Sequence, residues 1–315
     1  MTADSPSPTL EERLLEGDRR ALARLLTEVE AGSARGLAAM KVLYPHTGRA
    51  QTIGVTGSPG AGKSTVTNEM AKAYRARGKT VGIVAIDPSS PFTQGAILGD
   101  RVRMQELTAD SGIFLRSLAS RGSLGGLSEG SMDVILVMDA FGKDVILIET
   151  VGAGQDEVEI AGTALTTVLV NTPGMGDDIQ AMKAGIMEIA DVFAVNKADL
   201  PGADIVVAQI SALLSLSTAD GWDPPIVKVT ATEAEGIEEL VDACDQHHAY
   251  LVESGAIAES EANRARRQIV ALARRRLLAQ LIDHSGGQDR LDELVTAVAE
   301  RKLDPHSAVD QWIGG

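Results

Sequence analysis

Cysteine is almost absent from this chain. The one present, Cys244, excludes an intramolecular disulfide and any multi-cysteine metal cluster, so a reducing, cytoplasmic setting is expected. Long apolar runs are absent too. No window approaches the roughly 18 uninterrupted apolar residues of a membrane span. No basic N-terminal region precedes an apolar stretch, so no secretory signal is expected. Positive charge is in deficit, with a net charge of −15. That excludes binding to nucleic acid through a general electrostatic footprint. The arginines gather near the C-terminus, at Arg264, Arg266, Arg267, Arg274, Arg275 and Arg276. A solvated helix face is the reading of that cluster, ahead of a dock for an acidic partner.

The chain has 315 residues, 44% of them hydrophobic. It is long enough for one large core with an appendage, or for two modest domains. From Leu10 to Leu43 apolar residues recur at helical spacing, broken at Gly17 and Gly32. A helical extension over 1–45 is expected. The pattern then changes to short apolar runs at Thr52–Thr56, Thr80–Ile86, Val145–Ile148, Thr167–Val170, Val192–Val195 and Ile226–Val229. Helix-length segments separate them at Ser64–Arg77, Met132–Phe141, Ile179–Ala190 and Ile205–Leu216. Buried strands alternating with helices predict an α/β, doubly wound, mostly parallel sheet over 46–255. Ligands of such sheets sit at the carboxyl ends of the strands. After Gly255 the strand signals stop. Ala258–Asp283 reads as a long helix and Leu291–Val298 as another, so 256–315 is expected to be a helical arm.

Three motifs fall at strand ends. Gly57-Ser58-Pro59-Gly60-Ala61-Gly62-Lys63-Ser64 matches G-x-x-x-x-G-K-[ST] between a strand and a helix, with Thr65 in the first turn. The glycines let backbone N–H groups turn inward around phosphate oxygens. The helix adds its positive end. Lys63 supplies a charge for the β- and γ-phosphates, and the Ser64 hydroxyl suits Mg²⁺. Asn196-Lys197-Ala198-Asp199 follows the strand Val192–Val195. There the Asp199 carboxylate can accept from both donors of guanine, whereas adenine would leave it unpaired. The Lys197 stem lies against the base plane and Asn196 braces the loop. Thr230-Ala231-Thr232 is placed to support the base through backbone N–H groups, with an ordinary capping turn as the rival reading. Glu149-Thr150-Val151-Gly152 occupies the place where Asp-x-x-Gly is usual. Glu149 can reach the magnesium shell, and Gly152 can give its N–H to the γ-phosphate. Asp87 and Asp100 are further carboxylate candidates for the metal. Ala153 stands where Ras-like proteins carry a water-orienting glutamine, and Gln155 lies further on, so slow intrinsic hydrolysis is expected.

These motifs, with Asp87-Pro88-Ser89-Ser90-Pro91-Phe92-Thr93 and Gly95–Met104, resemble the MeaB/ArgK family, the G-protein chaperones of methylmalonyl-CoA mutase. The resemblance runs from about Leu10 to the C-terminal helices. It implies a homodimeric GTPase using GTP, GDP and Mg²⁺. Its cycle would gate adenosylcobalamin delivery to the mutase and protect that enzyme. It implies that Ser64, Asp87, Asp100 and Glu149 form the metal site. It also implies that Thr172–Lys183 is a loop signalling to the mutase, with Lys183 entering the nucleotide site, and that the C-terminal helices form a dimerisation arm. Ala153 and Asp156 depart from the family pattern without removing a proposed ligand. Two other functions compete. One is a small-molecule, transport-linked kinase, which needs a second substrate pocket. The other is a nickel-type metallochaperone, for which Cys244, His247 and His248 share a suggestive helical spacing.

Overall fold

The fold rests on strands buried along their whole length. In this computed structural model the described residues are 7–88, 109–120, 129–150, 160–174, 189–215, 221–283 and 287–314. Strands β1 (Gln51–Thr56), β4 (Val145–Thr150) and β5 (Thr166–Asn171) are buried at every position. That is the expected signature of a parallel sheet covered on both faces. With β2 (Val81–Pro88), β3 (Ile113–Ser120), β6 (Val192–Val195) and β7 (Ile226–Lys228) they form one seven-stranded sheet. Its order is β3-β2-β4-β1-β5-β6-β7, and each pairing is parallel. The sheet is therefore parallel throughout, not merely mostly so. The chain runs outward from β1 in one direction through β2 and β3, and in the other through β5, β6 and β7. The carboxyl end of β1 is thus the switch point, where a crevice opens.

Helices cover both faces. Helix α4 (Lys63–Ala76) and α7 (Ile237–Glu253) pack one face through Val66, Met70, Tyr74, Leu240 and Cys244. Helices α2 (Arg19–Glu30) and α5 (Glu129–Ala140) pack the other through Leu22, Leu25, Leu26, Val134 and Met138. A smaller cluster joins α6 (Ala203–Leu214) to β6 through Val206, Ile210 and Phe193. The N-terminal helices α1 (Leu10–Leu15), α2 and α3 (Ala34–Leu43) each have a side-chain cap, from Thr9, Asp18 and Ser33. Each such cap supplies about 1 kcal/mol. The breaks after α1 and α2 fall where Gly17 and Gly32 take φ of 88° and 62°, a conformation that costs glycine nothing.

The chain divides into two compact units, Met1–Ser260 and Glu261–Gly315. The long helix α8 (Ala256–Asp283) starts in the first. In the second, α9 (Gly287–Ala299) packs on α10 (Pro305–Ile313), which Asp304 caps by accepting from the His306 and Ser307 amides. Leu294 and Ala308 are the buried apolar side chains among this unit's described residues. Ile269, Leu277, Val295 and Ile313 stand 57–65% exposed.

Candidate nucleotide site

The phosphate loop leaves β1 and closes on α4 through three glycines with left-handed backbone. Gly57, Gly60 and Gly62 have φ of 137°, 78° and 89°. Two of them also have no room for a side chain. A Cβ on Gly57 would collide with the Val170 carbonyl oxygen of β5, and one on Gly62 with the Asn196 carboxamide. Gly62 is the cap residue of α4 and brings no side chain to the first turn, which also lacks an acid. The amides there keep their positive end for an outside anion. Lys63 is buried, and its Nζ donates to the Gly57 carbonyl at 2.7 Å and the Ser58 carbonyl at 3.1 Å. The ammonium is thus folded back over the loop. Pro59 and Gly60 are exposed, and Thr65 is half-buried in the first helical turn.

Glu149 is the penultimate residue of β4 beside β1, opposite Val55 in the register, and is 3% exposed. The Ser64 hydroxyl donates to its Oε1 in a short hydrogen bond. A hydroxyl and a carboxylate brought together beside the phosphate loop form a hard-oxygen donor pair, which fits Mg²⁺ and would suit a soft metal poorly. The Thr150 and Thr56 hydroxyls, 3.3 Å apart, tie the two strand ends. Asp87 lies in β2, in register with Ala119 of β3, so its backbone belongs to the same carboxyl edge. Asp100, Gly152 and Lys183 lie outside the described residues, as do Ala153, Gln155 and Met175–Lys183.

The base-reading motif is bound to the phosphate loop. Asn196 is buried. Its Nδ2 donates to the Ala61 carbonyl at 2.8 Å, and its Oδ1 accepts from the Ala231 amide at 3.2 Å. One carboxamide thereby joins the loop after β1, the loop after β6 and the turn after β7. Lys197 takes φ of 57°, and its Nζ donates to the Gly60 carbonyl at 3.0 Å. Its stem therefore runs across the gap between the motif and the phosphate loop. The Ala198 amide donates to the Val229 carbonyl at 3.0 Å. Asp199, next along, is exposed, where it can meet a ligand edge. Thr230 is buried and pairs with Glu235 through backbone bonds, while Thr232 is exposed. The bracing use of the Ala231 amide by Asn196 had no sequence signal.

The Cys244, His247 and His248 spacing does not make a ligand cluster. Cys244 is fully buried in the core between α4, α7 and the sheet, where burial pushes its thiol well above the usual range. His247 is buried too, with Nδ1 3.0 Å from the Thr166 hydroxyl and Nε2 3.4 Å from Asp191. Burial pushes its pKa down to about 4, so the ring is neutral near pH 7. Among the described residues no group of three His, Cys, Asp or Glu side chains is arranged to hold a metal. Nor is any described helix long and apolar enough to cross a membrane.

A parallel sheet with a glycine-turned phosphate loop at its switch point and an N-K-x-D motif braced against that loop defines a P-loop GTPase fold. The profile of the family described as methylmalonyl-CoA mutase-associated GTPase MeaB matches residues 22–285. The chain belongs to that family. A Pyrococcus horikoshii protein that carries a GTPase name is 46% identical over 309 residues, 97% of this chain and 96% of its own. The Escherichia coli GTPase ArgK is 33% identical, with 95% and 93% covered. The mouse methylmalonic aciduria type A homolog, a mitochondrial protein, is 30% identical, with 94% of this chain and 76% of its own covered. A crystal structure described as a LAO/AO transport system kinase superposes with a TM-score of 0.72 at 25% identity, over 96% of this chain and 95% of that one.

Proposed function

We propose that the chain binds GTP with Mg²⁺, hydrolyses it slowly to GDP and phosphate, and uses the cycle as a chaperone of methylmalonyl-CoA mutase. In this role it gates delivery of adenosylcobalamin to that enzyme and protects it. The observation that carries the nucleotide reading is the pair of bonds from Asn196 to Ala61 and from Lys197 to Gly60. They support a reading in which the Asp199 carboxylate, two residues further along the same loop, meets the guanine edge while the phosphate loop holds the phosphates. On phosphate entry the Lys63 ammonium exchanges its two carbonyl partners for phosphate oxygens. The first-turn amides of α4 then meet the same negative charge. Ser64 and Glu149 would hold the magnesium, with Asp87 and Asp100 completing its shell. When bound there, the ion would supply neutralisation of the phosphate charge. With Ala153 in the place of a water-orienting glutamine, hydrolysis is slow until a partner or a rearranged loop, with Lys183 as candidate, completes the site.

The mutase reading rests on family membership and on the named relatives. The exposed apolar positions of α8, α9 and α10 support a homodimer formed through the C-terminal helices, and the lone buried cysteine supports a cytoplasmic setting. Calorimetry with GDP, GTP and ATP in Mg²⁺ tests the first half. Guanine nucleotides bind and ATP does not, and uptake of ATP alone would refute the assignment. Co-purification with methylmalonyl-CoA mutase tests the second half. Equal association with GDP and with a non-hydrolysable GTP analogue would remove the switch.

A further inference from the structure

Thr150 is the last residue of β4 and the neighbour of Glu149. Alternation along the strand turns Leu147 and Glu149 towards α4, where the Ser64 hydroxyl meets the carboxylate, and Ile148 and Thr150 towards α2 and α5. Thr56, the last residue of β1, shares that second face. Both threonines are fully buried, and the Thr150 hydroxyl donates to the Thr56 hydroxyl at 3.3 Å. The register of β1 with β4 runs up to Val55 opposite Glu149. The hydroxyl bond lies one residue beyond, where β1 becomes the phosphate loop and β4 gives way to Val151-Gly152. Valine has the same shape and a stronger preference for a buried strand, with no polar atom to desolvate. What the hydroxyls add is a fixed spacing between two strand ends.

One of those ends is already held. A Cβ on Gly57, the residue after Thr56, would stand 2.2 Å from the Val170 carbonyl oxygen, so the root of the phosphate loop is pressed against β5. Thr56 is in register with Leu169 of that strand. The end of β4 is the partner left to be set, and Glu149 rides on it. A metal ligand must be held to about 0.5 Å, and a glutamate reaches its metal on a flexible side chain that inherits every shift of its backbone. The geometry points to Thr150 as a positioning residue of the magnesium site. Its bond to Thr56 fixes the end of β4 against the root of the phosphate loop, and with it the Glu149 carboxylate against Ser64. The inference rests on the magnesium reading above and adds a residue whose side chain lies on the opposite face from the donor pair.

Binding of a fluorescent, non-hydrolysable GTP analogue to the full chain, titrated with Mg²⁺ and repeated in EDTA, tests this. The proteins are wild type, Thr150→Val, Thr150→Ser and the pair Thr56→Val with Thr150→Val. Thr150→Val keeps the shape and removes the bond. It is expected to need roughly five- to tenfold more Mg²⁺ for half-maximal tightening, with affinity in EDTA and circular dichroism as in wild type. Thr150→Ser keeps the hydroxyl and restores the wild-type midpoint. The double variant matches Thr150→Val, because the second change has no bond left to break, and a further loss would count against the pairing. It also strands no hydroxyl, so it carries the same test through a fully apolar contact. A Thr150→Val midpoint equal to that of wild type would overturn the inference and leave the donor pair of Ser64 and Glu149 standing. Equal weakening with Mg²⁺ and in EDTA would overturn it too, by showing that the threonines hold the phosphate loop and not the carboxylate. So would a serine variant that fails to restore the midpoint. A wild-type chain whose affinity ignores Mg²⁺ would sink the magnesium reading, and this residue's part in it as well.

Discussion

The Asn196 carboxamide donates to the Ala61 carbonyl at 2.8 Å across 135 positions of sequence. Because its oxygen also accepts from Ala231, truncation leaves two backbone groups without their partner. Each buried group so stranded costs about 1–3 kcal/mol. Asn196→Ala is therefore expected to weaken GDP and GTP alike by roughly ten- to a hundredfold. Gly62→Ala strikes the same bond from the other side, since its Cβ meets the carboxamide. Calorimetry on both variants checks this. Wild-type affinity in either would show that the brace does not shape the site.

Asp199 governs base choice. Asparagine there keeps one acceptor and gains one donor, which mismatches guanine at its exocyclic amine. Xanthine, with a ring N–H and a carbonyl at that edge, becomes the better fit. Asp199→Asn is expected to lose at least tenfold in GDP affinity and to gain affinity for XDP. Competition of the two diphosphates against a fluorescent guanine nucleotide measures it, and an unchanged preference for GDP would remove Asp199 from base reading.

What the sequence made legible follows from how local each signal is. The phosphate loop and the Asn196–Asp199 motif are contiguous, with spacing that fixes their chemistry, and both lie at strand ends as expected. The six apolar runs all became strands. Strand β3 escaped because Arg116, Ser117 and Ser120 interrupt its apolar run. It is an edge strand, and such strands tolerate polar residues; Arg116 pairs there with Glu30 of α2. Helix α10 went unassigned although Asp304 and Pro305 form the cap and first-turn pair that signals a helix start. The Cys244, His247 and His248 spacing was real, but spacing does not say which face is inside, and the core claimed Cys244 and His247. Cross-chain braces such as Asn196 to Ala231 exist only once the strands are ordered, so no local pattern announces them.

Asp139, at the end of α5, shows the same dependence on tertiary context. Its carboxylate accepts from the Gly48, Arg49 and Ala50 amides at 2.6, 3.2 and 3.0 Å. It thereby fixes the segment that leads from the N-terminal helices into β1. Bonds to a charged acceptor contribute about 1.5–3 kcal/mol each at most, and truncation partly rehydrates the amides. Asp139→Ala is expected to cost about 3 kcal/mol, or roughly 4–6 °C in melting temperature for a unit of this size. Asp139→Asn, retaining one acceptor oxygen, falls between. Differential scanning calorimetry reads both, and nucleotide affinity stays unchanged in any protein that remains folded. A melting temperature equal to that of wild type would show that other contacts hold the segment.

Lys143 makes stability depend on alkaline pH. It is buried in the turn between α5 and β4, its Nζ donating to the Gly112 carbonyl at 2.7 Å and lying 5.7 Å from the Phe141 ring centre. Burial, aided by Arg19 and Arg75, pulls its pKa down from 10.5 to about 8. Between those two values the unfolded chain binds the proton and the folded chain does not. Stability from this group therefore rises as pH climbs from about 8 toward 10.5, and the full cost of charging it applies below 8. Cys244, whose thiol is pushed up, acts in the opposite sense over the same range, so the wild-type curve alone is ambiguous. The difference between wild type and Lys143→Met isolates the lysine. The variant is expected to be more stable at pH 7, by up to about 3 kcal/mol less the lost hydrogen bond. That advantage should fade by pH 10. Urea unfolding at pH 7, 8.5 and 10 measures it, and a difference that stays constant with pH would show that Lys143 keeps its ordinary basicity in the fold.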